Sequence, residues 1–205
     1  MDARFFSGQD LEGWQGDKAY WSAEDGVIVG RSTEPTLRNE FLFSQVPVED
    51  FHLSVWVRLT PDDRNSGIQF RSQRDAEGHA VGYQADVGRD YWGRLYDEHN
   101  PERGELDWTD AGEKHVRPGD WNHYEILAVG HRIWTAINGH LSVALEDPDG
   151  ASTGFIGFQI HSGSPQEVRF RNPMLRHNPP VRMAGLNEQE LTAALRSIKD
   201  AEAAK

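Results

Sequence analysis

Cysteine is absent from the 205 residues, which removes disulfides, thiol nucleophiles and thiolate metal sites from consideration. No apolar run approaches the ~20 residues that a membrane-spanning helix needs. Basic clusters are missing too: 21 Lys and Arg face 33 Asp and Glu, for a formal net charge of −12. Such a chain offers no complementary patch to a polyanion or an anionic bilayer, so nucleic acid and membranes drop out as partners. There is no glycine-rich phosphate loop and no Gly-x-Ser-x-Gly elbow. His99, His115, His123, His131 and His140 show no zinc-type spacing. Met1-Asp2-Ala3-Arg4 reads as leading directly into the first strand, with no signal-peptide pattern visible in these residues. Exported bacterial proteins often lack cysteine, and a bacterial, periplasmic or secreted location is the expectation.

What the chain has in quantity is aromatic surface. Hydrophobic residues make up only 37%, but 7 Trp, 9 Phe and 5 Tyr are among them, and aromatics bury a large area each. About twelve short alternating segments follow one another with turn residues between them. The clearest runs Phe51–Leu59, where Leu53, Val55, Val57 and Leu59 share one face and His52, Ser54, Trp56 and Arg58 the other. Glu24-Asp25-Gly26 and Asn138-Gly139 are hairpin signatures. Asn100–Gly119 lacks periodicity and reads as a long loop. Short strands at regular spacing with no helix between them predict an all-β, antiparallel sandwich. Trp14, Trp56, Tyr83 and Trp134 read as core or sheet-packing aromatics. The tail differs: residues 179–205 form a linker and then a short amphipathic helix. Asn187 and Glu190 set up a capping box, and Leu191, Ala194, Leu195 and Ile198 recur at helical spacing. Residues 1–178 are the sandwich on which this helix is expected to dock.

The stretch Ser66–Glu98 organises the rest. It reads as strands Ser66–Ser72, Gly82–Val87 and Tyr91–Tyr96 joined by turns. Residues two apart share a face, so Gln69 and Arg71 oppose Ile68 and Phe70, while Gln84 and Asp86 oppose Tyr83 and Ala85. Adjacent antiparallel strands gather these polar residues, with Tyr96 and Asp97 nearby and Trp92 beside a turn as an aromatic plate. Planar hydrogen-bonding groups around an aromatic ring are what a sugar-binding surface requires.

Several ordered segments resemble one family. They are Asp10–Trp14, Asn65–Ser72, Gly82–Asp86, Gly93–Glu98, Gly119–Asn122, Ile137–Gly139, Gly157–His161 and Val168–Asn172, spanning roughly residues 5–178. The resemblance is to the 3-keto-disaccharide hydrolase-like domain, which implies a concanavalin/laminin-G-type jelly roll with its ligand on the concave sheet. It also implies substrates that are glycosides already oxidised at C3. There are departures. Many members carry Glu where this chain has Gln84, and Gln where it has Asp86. Many also read Gln-Asp-His where this chain has Gln159-Ile160-His161.

A C3 ketone acidifies the proton at C2; its removal gives an enolate, and the C1 substituent leaves by β-elimination. Water adding to the enone completes a net hydrolysis. The resemblance thus assigns His161 as base, Arg71 as the charge on the enolate oxygen, and Tyr96 as acid toward the leaving group. Gln69, Gln84, Trp92, Asp97, Glu98 and Gln159 bind the sugar. A divalent metal ion on Asp86 and His161 is an alternative electrophile; otherwise Asp86 belongs to the acid–base set. A sugar-derived small molecule is the expected partner. The rival reading is a non-catalytic, lectin-like carbohydrate-binding module on the same fold.

Overall fold

The computed structural model describes residues 3–98, 100, 103–107 and 109–203. Alternation along the chain becomes alternation across two packed sheets. The strands are β1 (Ala3–Arg4), β2 (Trp14–Gln15), β3 (Trp21–Glu24), β4 (Val27–Ser32), β5 (Glu40–Val48), β6 (Phe51–Thr60), β7 (Asn65–Arg74) and β8 (Ala80–Gly88). They continue with β9 (Leu95–Glu98), β10 (Gly104–Asp107), β11 (Asn122–Val129), β12 (Arg132–Ile137), β13 (His140–Glu146), β14 (Gly154–Ile160) and β15 (Gln166–His177). Helix α1 (Glu188–Ala193), β16 (Arg196–Ser197) and α2 (Ile198–Ala203) end the chain. Asp25-Gly26 and Asn138-Gly139 all take positive φ. Two-residue hairpins need this to match the strand twist.

One sheet runs β16-β13-β12-β11-β6-β15-β4-β3, with β1 beside β15; the other runs β10-β9-β8-β7-β14-β5-β2. All pairings are antiparallel except β13 with β16. The inward faces meet in one cluster that includes Leu53, Val55 and Val57 from β6, Ile68 and Phe70 from β7, and Ile156 and Phe158 from β14. Their burial removes several hundred Å² of apolar surface from water and supplies the main driving force of the fold.

Three local expectations are corrected. Tyr91–Gly93 is a turn, not a strand, because Tyr91 and Trp92 amides both bond back to the Gly88 carbonyl; the strand begins at Leu95. The long loop holds β10 and a 3-10 turn, Glu113–His115, though residues 101, 102 and 108 within it lie outside the described residues. The C-terminal helix is broken in two. Asn187 and Glu190 form the capping box, and Leu191 is buried with Trp134, whose Nε1 donates to the Leu191 carbonyl at 2.9 Å. Arg196–Ser197 then leaves the helix to pair with the edge strand β13, and Arg196 Nη2 meets the Asp107 carboxylate at 2.6 Å. An open edge with a buried carboxylate beside it outweighs helical periodicity over so short a segment.

Candidate functional site

Register places the polar residues of the second sheet in rows on its outer face. Asp86 pairs with Gly67, Gly67 with Gln159 and Gln159 with Phe41. In the next row Tyr96 pairs with Gln84, Gln84 with Gln69, Gln69 with Gly157 and Gly157 with Phe43. Glu98 follows Tyr96 on β9, and His161 follows Gln159 just past β14. The two glycines matter. A Cβ on Gly67 would lie 2.4 Å from Gln84 Cδ, and one on Gly157 would lie 2.9 Å from the Phe43 ring. Their bare backbones let the Gln84 and Phe43 side chains lie flat across the sheet.

The result is a covered network rather than the open plate the sequence predicts. Gln69, Gln84, Asp86 and Gln159 are each at most 5% exposed. Ser72 Oγ sits 2.9 Å from Gln69 Oε1, Gln69 Nε2 donates to Gln84 Oε1 at 2.5 Å, and Gln84 Nε2 donates to Asp86 Oδ1 at 2.7 Å. Neither amide atom of Gln159 has a hydrogen-bond partner among the described residues. The β7–β8 hairpin supplies part of the cover. Ala80 packs against Phe41 and Phe43, three strands away in the sheet order, and Arg74 reaches across the Phe43 ring to donate to the Phe41 carbonyl at 2.9 Å.

Burial sets the electrostatics. Desolvation lifts the Asp86 carboxyl to about 8, against the opposing hydrogen bond from Gln84, and the Glu98 charge adds to the rise. Desolvation also raises Glu98, which the His161 charge and a 3.5 Å contact from Asn39 Nδ2 partly offset. Tyr96 is raised by the same cause. His161 is half-buried, and its Nδ1 lies 2.8 Å from the Ser162 carbonyl. A carbonyl only accepts, so Nδ1 carries a proton and Nε2 is the ring nitrogen left to exchange one with a ligand.

Three expected site residues are elsewhere. Arg71 sits on a β-bulge with φ of 47° opposite Gly82, which turns its side chain off the outer face. Its guanidinium, 2% exposed, donates to the carbonyls of Glu49 at 2.9 Å and Gly130 at 2.8 Å and meets Asp50 Oδ1 at 3.4 Å. It clamps turns of the opposite sheet and does not reach an enolate. Asp97 pairs with Tyr83 and therefore faces inward; Arg103 Nε holds its Oδ2 at 2.7 Å. Trp92 is 4% exposed, packed in the core beside Tyr124. A residue in a tight turn can be swung into the core, which alternation does not reveal. Asn39 was missed: it belongs to no strand, yet its Oδ1 accepts from the Ser162 amide at 2.8 Å while its amide approaches Glu98.

Asp86 and His161 belong to no group of three close metal-ligating atoms among the described residues. Among the described residues, the one group of three acidic or histidine ligand atoms lying close together is Asp75, Glu77 and His79, at the hairpin tip. The chemistry of the face is therefore built from amides, two carboxyls, an imidazole and a phenol.

Comparison with known proteins agrees with this architecture. The chain is similar to a Parabacteroides distasonis protein described as a candidate glycosyl hydrolase, at 18% identity over 87% of this chain and 94% of that one, with a TM-score of 0.66. It is similar to a carbohydrate-binding module of Bacillus subtilis, at 18% identity over 80% and 95% of the two chains and a TM-score of 0.60. A pseudo β-1,3-glucanase of Mycobacterium tuberculosis shares 9% identity over 87% and 98%, also with a TM-score of 0.60. At these identities the likeness is one of fold, the concanavalin-like jelly roll. No curated protein matches the sequence. A family model matches residues 3–176, almost the whole sandwich, and the chain belongs to the family of 3-keto-alpha-glucoside-1,2-lyase-like domains.

Proposed function

We propose that the protein cleaves glycosides oxidised at C3 by β-elimination, with hydration of the product enone giving net hydrolysis. The observation that carries this reading is the placement, on one sheet face, of a carboxyl whose burial favours its protonated form, Asp86, and an imidazole whose Nδ1 is engaged by the Ser162 carbonyl, His161, with Glu98 acting electrostatically on both. Elimination needs such a pair at opposite ends of one C–C bond. His161 Nε2 takes the C2 proton, and the C–H electrons form the enolate with the C3 oxygen. Gln159 Nε2, which lacks a partner in the free protein, donates to that oxygen. The enolate collapses to the C1=C2 enone, the C1–O bond breaks, and the Asp86 proton goes to the departing oxygen. Glu98 stabilises the imidazolium that forms. Tyr96, on the same face, binds a sugar hydroxyl. Water adding across C1=C2 returns the proton to C2 and completes the hydrolysis.

The family membership supports the substrate class; the likeness to a carbohydrate-binding module keeps a purely binding role as the rival. A 4-nitrophenyl 3-keto-glucoside, assayed beside its unoxidised parent and with and without chelator, separates them. Release of nitrophenol from the keto substrate alone, falling at least about 100-fold in His161→Ala, is expected. Binding of both glucosides by calorimetry without release from either would establish the module instead.

A further inference from the structure

Beside the network the same face opens into a groove of about 370 Å³, lined by Phe43, Phe155, Gln15, Gln45, Gln73 and Arg74 among others, with no carboxylate in its lining. In a chain of net charge −12, a recess with one cation and no acid is unusual chemistry. Arg74 forms no ion pair among the described residues; its one hydrogen bond is to the Phe41 carbonyl, and its guanidinium stands 5.4 Å over the Phe43 ring. Four of its five N–H donors are therefore open to a ligand. Phe155 is half-buried and presents an aromatic surface at the groove wall.

We infer that this groove is a subsite for a ring-bearing group that carries a carboxylate: the ring against Phe155, its acid on Arg74, and its hydroxyls on the glutamines. The inference stands on this binding chemistry and needs no step of the elimination. A planar fork that binds carboxylates bidentately is the feature that gives such a site its discrimination.

The test compares the glucosides of 4-hydroxybenzoate and 4-hydroxybenzamide, which differ in charge and hardly in shape. Calorimetry with the unoxidised glucosides should show the carboxylate bound at least about tenfold tighter. That preference should vanish in Arg74→Gln and persist in Arg74→Lys, while Phe155→Ala should weaken both ligands together. Equal affinity in the wild type, or a preference that survives Arg74→Gln, overturns the subsite. The 3-keto forms of the same two glucosides then test the reaction. If neither is cleaved while the binding preference stands, the elimination reading fails and the subsite does not. If both are cleaved at equal kcat/KM and bound equally, the subsite fails and the elimination reading does not.

Discussion

The seven-stranded sheet carries a buried polar cluster on each of its faces, and the two are built on opposite plans. On the inner side Asp97 and Asp147 share Arg103, and Tyr83 donates to Asp147 Oδ2 at 2.5 Å. On the outer side Asp86 has a chain of amides and no cation in contact. Both carboxyl sets pay a desolvation cost. The inner one is offset by a guanidinium; the outer one is relieved by keeping its proton. At Asp97 the desolvation rise is opposed by a bonded guanidinium, Arg103; at Asp86 it is opposed by the neutral Gln84 amide and, without contact, by the Arg94 charge. A neutralised carboxyl holds a structure together. One left without a cation is costly to ionise, and it is the kind of group that is available to move a proton at neutral pH.

The sharpest way to break the contrast is Asp86→Asn. The amide keeps the shape and the hydrogen bond from Gln84 but has no proton to give. Turnover of a 3-keto-glucoside should fall about 100- to 10,000-fold, while the fold should be at least as stable as the wild type. Its stability should also lose a pH dependence. Between the ordinary carboxylate value of 3.8 and about 8, native Asp86 holds a proton that the unfolded chain has released, so wild-type stability falls as pH rises through that window. Urea titrations from pH 5 to pH 8.5 should show that decline in the wild type and a flatter profile in the variant. The same slope in both would mean that Asp86 is ionised throughout.

The inner cluster should respond in the opposite sense. Arg103→Met leaves Asp147, which is fully buried, without its cation, and should cost about 3 kcal/mol of stability with kcat unchanged once corrected for the folded fraction. Arg71→Met should behave in the same way, since its guanidinium serves the β5–β6 and β11–β12 turns and not the outer face. A large loss of kcat in folded Arg71→Met would restore that arginine to the chemistry.

Much of this was legible before any coordinates. Alternation gave the sandwich and put Gln69, Gln84 and Asp86 on one face; the family resemblance added Gln159 and His161. Tyr96 and Glu98 also lie there, because β9 continues the same register. What failed did so where period-two reasoning fails. A bulge at Arg71 reverses the face of its own side chain, a turn swings Trp92 inward, and Asp97 falls on the wrong parity. The covering of the site was not legible either, because Ala80 meets Phe41 and Phe43 only after the hairpin folds across an intervening strand. One sign of it was present in the sequence: Gly67 and Gly157 interrupt strands that otherwise carry side chains at every position of that face.

The finest comparison is between this chain and the pattern it resembles, in which the residue at 84 is commonly Glu and that at 86 commonly Gln. Here the two are Gln84 and Asp86. Both point to the same face and touch at 2.7 Å, so the pair still holds one carboxyl and one amide in contact; the carboxyl has moved one position along the relay. Gln84→Glu alone would put two carboxyls in contact. They would share a proton, the second ionisation would move up, and the alkaline limb of the pH–rate profile should shift up by about one unit. The exchange Gln84→Glu with Asp86→Gln restores one carboxyl and one amide, now with the acid facing Gln69 and Tyr96. If the relay rather than the position of its acid is what matters, the double variant should recover activity to within about tenfold of the wild type. An inactive double variant with native stability would show that the leaving group is protonated from position 86 and from nowhere else on the face.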